Sequence, residues 1–380
     1  MSLKDEAEFK MIEEKISFNV KTGRWLAEYP WIKKPSELSN NRRIAVAKLC
    51  STEKRLLKNP DYMSVYADQI QDMLDRKVAR QVTQEELEAY DGPTFYLAHH
   101  AVRKPESKST PCRIVFDSKA QYMGLSLNDC LAKGPSLLNA LLGVLLRFRK
   151  DKFAFIGDIK KMYHSIDIPV KDQMMHLFLW RDCETNRPLE TYAITAVNMG
   201  DRPSATIAQI ALRKTAENSV AEFPKSTDII VNNAYMDDIS ASVESEDEAC
   251  ARMDEISHII DTGNFRIKEW IHNIPRTEAD MSRIRPIPLG LEEEAATEGV
   301  LGLRWNVEKD TLQFKFKSSW KALGTFTKRI ILSAANSIYD PFGLLTPFAS
   351  KAKIIMRGIW VHEPRLEWDP RCRKRLNSNG

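Results

Sequence analysis

The stretch DIIVNNAYMDDISASV, residues 228–243, carries the reading of the fold. Apolar and β-branched runs on either side of a polar centre predict two strands folded about a tight turn, with Asp237 and Asp238 at that turn. A helix is expected directly after it. Ser245 with Glu248 three positions on forms a capping box, Met253, Ile256, Ile259 and Ile260 give an apolar stripe, and Gly263 closes it. Upstream, KFAFIGD (152–158) is a short apolar run ending on a carboxylate, which suits a buried strand delivering Asp158 at its exit. A strand, a helix, a hairpin and a helix make one α+β layer in which Asp158 and Asp237/Asp238 can meet at one sheet edge.

Working outward, PSLLNALLGVLLRFR (135–149) carries six leucines at helical spacing between Pro135 and basic residues, and predicts a buried helix. VKDQMMHLFLW (170–180) and SATIAQIALRKTAENSVAEF (204–223) also read as helices. Residues 1–90 read as helical and charged, with Leu56, Leu57, Tyr66, Ile70 and Met73 near helical spacing. YLAHHAV (96–102) and CRIVF (112–116) read as strands joined by the exposed turn RKPESKSTP (103–111).

The 380 residues, 43% of them hydrophobic, suit two or three domains with a sizeable core. There is no long uncharged apolar run, and the N-terminus MSLKDEAEFKMIEEK is charged where a signal peptide would be apolar, so no membrane role and an intracellular, cytoplasmic location are expected. The six cysteines form no C-x-x-C pair and are read as free thiols. His99 and His100, adjacent on a strand, point to opposite faces and are not read as metal ligands. Net charge is only +4, but residues 315–375 hold 13 Lys and Arg against 4 Asp and Glu. Such a module can track a phosphate backbone or serve as a solvated face.

Phosphoryl transfer to a hydroxyl benefits from two divalent cations, one at the attacking and one at the leaving oxygen. Magnesium takes oxygen ligands, and two or three carboxylates suffice because substrate phosphates and water complete the shell. Asp158 at a strand end and Asp237 in a hairpin would serve, although an Asp at a turn often only bonds the local backbone.

Tyr235-Met236-Asp237-Asp238 resembles the catalytic box of reverse transcriptases, and FIGDIKKMYHSI (155–166) resembles the family's first palm motif. The resemblance covers almost the whole chain and is closest to the BEL/Pao group of long-terminal-repeat retrotransposons. It rests on GRWLAEYPW, NNRRIAVAKL, HHAVRKPESKSTPCRIVFDSKA, SLNDCLAKGPSLLNALLGVLLRFR, ILSAANSIYDPFGLLTPFASKAKIIMRGIW and LEWDP. It implies an α+β right-hand polymerase with an antiparallel palm sheet backed by helices. An N-terminal helical segment (1–90) leads into fingers (91–150), a palm (151–285, with 170–200 partly fingers), a primer grip (286–320) and a thumb (321–380).

By the same resemblance Asp158, the Ile159 carbonyl, Asp237 and Asp238 hold two Mg2+ ions, or Mn2+ in their place. Tyr163 is the aromatic gate against a ribose hydroxyl, Arg113 with Lys104 or Lys108 binds the incoming triphosphate, and Gly200 lets the backbone approach the nucleotide. Lys268 in NFRIKEW donates a proton to pyrophosphate. Leu301, Gly302 and Trp305 in VLGLRWN support the primer, with Trp305 equally readable as core. The implied partners are an RNA or DNA template with its primer, dNTPs and other parts of a retroelement polyprotein.

Near MGDRPSATIAQ (199–209) the chain departs from the family, with Met199 before the glycine and no Ser-Pro pair after it. That departure keeps a second reading open, a decayed or domesticated element that binds nucleic acid without synthesis. An RNA-dependent RNA polymerase of the same architecture is a third, against which Tyr163 speaks. Asp261-Thr262-Gly263 matches the aspartic-protease triplet but is read as a helix end. No RNase H or integrase segment is recognisable before Gly380, so the chain reads as a fragment of a longer polyprotein.

Overall fold

The structure, a computed structural model, describes residues 2–103, 112–275, 297–314, 327–361 and 368. It is a mixed α+β fold. Four strands share one sheet in the order Ala234–Tyr235, Asp238–Val243, Phe153–Ile159, Ile267–His272. The chain divides into two compact units interleaved along the sequence. The first comprises Met1–Leu138, Asp158–Asp237 and Arg252–Lys268, and the second comprises Asn139–Gly157, Asp238–Ala251 and Glu269–Gly380.

In the first unit the helices Arg42–Leu56 and Pro60–Asp75 bury Ala45, Leu49 and Leu56, and Tyr66, Ile70 and Met73, respectively. Leu57, expected on the same stripe, is exposed. Residues 1–90 are not helical throughout. The hairpin Ile16–Asn19/Arg24–Ala27 adds Ile166–Asp167 in parallel at Trp25, and Ala79–Val82 pairs antiparallel with Glu190–Ile194. The strands His99–Arg103 and Cys112–Phe116 form the expected antiparallel pair, and most of the turn between them lies outside the described residues.

The sequence expectation fails at three places. Residues 170–180 hold a single helical turn, Val170–Gln173, followed by the fully buried strand Leu177–Trp180. An all-apolar run satisfies either period, and pairing with Glu190–Ile194 decides for the strand. Residues 224–233 are a helix with Pro224 in its first turn and Ser226, Thr227, Ile230 and Asn233 on its buried face. The hairpin therefore shrinks to Ala234–Tyr235 and Asp238–Val243, and Asp238 opens a strand instead of sitting in the turn. The leucine-rich helix runs only from Leu141 to Phe148. It buries Val144, Leu145 and Phe148 and leaves Leu142 and Leu146 exposed.

Other local signals hold. The Glu248 amide donates to Ser245 Oγ at 3.2 Å at the start of the helix Glu246–Asp261, and Asp261-Thr262-Gly263 is that helix's end. Asn264 takes the left-handed conformation there, at φ 62°, while a Cβ on Gly263 would lie 2.3 Å from Thr215 Oγ1. The helix Ser204–Glu217 ends six residues before the expected stop and is buried on most of its surface.

In the second unit Phe148, Ala154, Ile156, Val300 and Trp305 form one apolar cluster, with Phe148 and Trp305 edge to face at 5.0 Å. The antiparallel hairpin Thr297–Val300/Leu303–Asn306 turns through Leu301 and Gly302, both at positive φ (48° and 90°). Two positive values suit the two-residue turn that matches strand twist. A Cβ on Gly302 would also lie 2.7 Å from the Tyr339 ring. Helices Lys328–Ala335 and Thr346–Val361 follow. No described helix is long and apolar enough to cross a membrane.

Candidate active site

The strand Phe153–Ile159 is buried at every position except Asp158, which is half-buried one residue before the strand ends. Apolar burial on both sides fixes the strand, so its carboxylate leaves the core at a defined point. The Ile159 amide donates to the Asp237 carbonyl at 2.7 Å. One backbone hydrogen bond thus joins the exit of the Asp158 strand to the turn that presents Asp237. The bond links the stretches of backbone that carry Asp158 and Asp237, 79 residues apart in sequence, and Asp237 is exposed while Asp238, the next residue, is half-buried.

The turn is held at a second point. Met236 sits at φ 59°, a left-handed conformation that costs a side-chain-bearing residue about 1 kcal/mol or more. Its carbonyl accepts from Gln209 Nε2 at 2.8 Å. Gln209 is buried on the helix Ser204–Glu217. Sequence reasoning missed it, although an amide at a buried position of a largely apolar helix is the available signal, because such a group needs a partner.

Tyr163 is half-buried in the single 3-10 turn Met162–Ser165. Burial raises its hydroxyl pKa above the ordinary phenol value, and the negative charge of Asp237 raises it further, so the phenol stays protonated within electrostatic reach of the Asp237 turn.

The 198–203 loop is anchored by a buried polar cluster. A Cβ on Gly200 would lie 2.5 Å from the Phe116 carbonyl oxygen. A close approach of the chain to its own backbone at Phe116 is thus permitted by Gly200. Asp201, beside it, accepts from Ser118 Oγ at 2.5 Å, from Asn198 Nδ2 at 2.8 Å and from the Tyr29 hydroxyl, and lies 3.0 Å from His176 Nε2. Burial opposes charge on both partners. Attraction between them wins, holding His176 above its usual range and Asp201 below its own. This network too was missed, since its members are scattered from residue 29 to residue 201.

Arg113 is exposed on the strand Cys112–Phe116, opposite Val102. Lys104 and Lys108 lie outside the described residues. Lys268 is exposed near the start of the strand Ile267–His272, and the Lys160 amide, two residues beyond Asp158, donates to the Arg266 carbonyl at 2.8 Å. In the second unit Leu301 and Gly302 form a hairpin turn, and Trp305 is fully buried with Nε1 donating to Asp310 at 3.0 Å. Trp305 is a core residue.

Among the described residues no group of three or more His, Cys, Asp and Glu side chains is gathered tightly enough to hold a metal ion alone. The expected donors, the Asp158 and Asp237 carboxylates and the Ile159 carbonyl, are hard oxygens, and magnesium binds through one or two carboxylates when substrate phosphates supply the rest. The donor set fits that ion. His99 is buried, with Nε2 2.9 Å from the Leu179 carbonyl and Nδ1 2.5 Å from the Tyr66 hydroxyl, which leaves it no role as a ligand.

Comparison with known proteins adds three findings. A family model described as a Pao retrotransposon-like RNaseH-like domain matches residues 327–379. That is the stretch read from sequence as thumb, and the match corrects the reading that no RNase H segment is recognisable. A foamy viral protease-reverse transcriptase solved with double-stranded DNA is similar in fold, with a TM-score of 0.50 and 15% identity over 78% of this chain and 44% of that one. A foamy viral protease-reverse transcriptase solved with an RNA/DNA hybrid gives 0.52 and 14% over 82% and 35%. The chain thus spans less than half the length of either. No curated protein matches. The C-terminal match is to a Pao retrotransposon-like domain over part of the chain, and the two solved structures show a likeness of fold.

Proposed function

We propose that this chain is the polymerase part of a reverse transcriptase with a right-hand arrangement of fingers, palm and thumb, extending a primer with dNTPs inside the cell. The observation that supports the reading is the backbone bond from the Ile159 amide to the Asp237 carbonyl, which ties the exit of the Asp158 strand to the turn that carries Asp237. The fold likeness to proteins solved on double-stranded DNA and on an RNA/DNA hybrid supports a template-primer partner.

When bound, two magnesium ions would lower the barrier by stabilising charge on the attacking and leaving oxygens. Asp158, the Ile159 carbonyl and Asp237 would hold them, with Asp238 assisting. Arg113 offers a planar fork to the triphosphate, and Lys104 or Lys108 offers a point charge. The primer 3′-hydroxyl loses its proton to water as its oxygen attacks the α-phosphorus, a new P–O bond forms as the α–β bridging bond breaks, and pyrophosphate leaves with a proton from Lys268, which water then restores. Tyr163 occupies the space a ribose 2′-hydroxyl would need. In the second unit the Leu301–Gly302 turn serves as primer grip, with Trp305 anchoring it in the core.

The nuclease activity suggested by the C-terminal match is less well supported by the residues. Metal-dependent hydrolysis needs several carboxylates, and of the four in the matched stretch the described one, Asp340, is engaged by the amides of Leu344 at 3.0 Å and Leu345 at 2.6 Å, while Glu363, Glu367 and Asp369 lie outside the described residues. A decayed element that binds nucleic acid without synthesis is favoured by one observation, that Met199 precedes Gly200 and no Ser-Pro pair follows it.

Primer extension on poly(rA)/oligo(dT) with magnesium separates these readings. The native chain is expected to synthesise DNA and Asp237→Asn to lose at least about a hundredfold in rate. Equal synthesis by both, or none by either, refutes the polymerase reading.

A further inference from the structure

The turn that presents Tyr163 is clamped by an ion-pair cluster that the chemistry above does not use. The chain enters the turn through Lys161 at φ 51° and ψ 44°, a left-handed conformation disfavoured for a residue with a Cβ. Lys161 Nζ donates to Asp72 Oδ2 at 2.8 Å. The same oxygen accepts from Arg76 Nε at 3.0 Å and Nη2 at 2.8 Å. Arg76 Nη1 in turn lies 3.2 Å from His164 Nδ1.

A guanidinium only donates, so Nδ1 accepts and His164 is neutral with its proton on Nε2. Burial, with help from Arg76 and Lys161, holds its pKa down to about 4, in keeping with that tautomer. From the other side Arg24 Nη2 donates to the His164 carbonyl at 2.9 Å and pairs with Asp167 at 2.7 Å. The residues two before and one after Tyr163 therefore both depend on one carboxylate of the helix Pro60–Asp75.

Half-exposed ion pairs contribute little stability as a rule, and Asp72 and Lys161 keep 38% and 39% of their side-chain exposure. The difference here is convergence. One carboxylate oxygen takes three donor contacts from groups that bracket a single side chain. We propose that Asp72 is a positioning residue for sugar selection, fixing through Lys161 and through Arg76 and His164 the turn that carries Tyr163. A gate excludes by short-range repulsion, which changes steeply over a few tenths of an ångström, so a loosened turn admits the extra oxygen before it harms synthesis.

The inference rests on the polymerase reading, and one experiment separates their failures. Single-nucleotide extension of oligo(dT) on poly(rA) by the full chain gives kcat/KM for dTTP and for UTP. Asp72→Asn and Lys161→Met are expected to lower the dTTP preference by about threefold or more, the scale a partly exposed pair can transmit, with kcat/KM for dTTP within about threefold of native. Asp72→Glu is expected to restore most of the preference. Unchanged preference in Asp72→Asn and Lys161→Met, alongside a relaxed Tyr163→Ala, overturns the role of Asp72 and leaves the gate standing. An unchanged Tyr163→Ala removes the gate and this role together, and a native chain without synthesis removes the polymerase reading and both. If Asp72→Asn loses its circular-dichroism spectrum, Lys161→Met decides, because it leaves the Asp72–Arg76 pair intact.

Discussion

Replacing Gln209 by Met tests whether the Met236–Asp237 turn is held from the helix behind it. Met matches the length of Gln and keeps the apolar packing, so the change removes one hydrogen bond, Nε2 to the Met236 carbonyl at 2.8 Å. A buried acceptor left without a partner costs about 1–3 kcal/mol, and Met236 stores about 1 kcal/mol or more in its left-handed conformation. The two together suffice to let the turn relax. The Ile159 bond, at the neighbouring carbonyl, still ties the turn to the Asp158 strand, so global unfolding is not expected. A displacement of about 1 Å at Asp237 costs on the order of a hundredfold in rate. In primer extension Gln209→Met should therefore lower kcat by about ten- to a hundredfold, leave KM for dTTP within about threefold, and move the melting temperature by only a few degrees. A kcat within twofold of native, with Asp237→Asn inactive in the same assay, would refute the claim that Gln209 sets the turn.

Two further outcomes follow from buried groups. His99 is held neutral at a pKa of about 4, chiefly by burial, against an ordinary 6.5, so its stabilising contribution is complete above 6.5 and is lost as pH falls through 4. The loss from His99 is at most about 3 kcal/mol and should show in urea melts between pH 6.5 and 4; His164, also held down to about 4, adds a loss of its own in that window, so His99→Phe should shrink the acid loss without abolishing it, and an unchanged loss contradicts the assignment to His99. His176, raised in the fold, runs the other way, losing its contribution only as pH climbs above 6.5, so it does not mask the acid loss. Gly200→Ala would put a Cβ 2.5 Å from the Phe116 carbonyl and should destabilise the chain by about 1–3 kcal/mol, read from the same melts without any nucleotide present. No loss of stability would leave Gly200 only the role of nucleotide contact.

What the chain shows by itself is local. The Asp158 strand exit, the turn before Asp238, the Ser245 cap and the helix end at Asp261 are all written in residue type and short-range spacing, because turns, caps and periodic burial are decided within a few residues. Tertiary contact decided the rest. Leu177–Trp180 became a strand because a partner strand was present, and residues 224–233 became a helix although their β-branched run reads as extended. The groups that hold the candidate site, Gln209 on Met236 and Asp72 on Lys161, act over 27 and 89 residues of chain. A single buried amide or a half-exposed carboxylate carries no mark of its partner in sequence, since the bond exists only once the fold has brought the two ends together.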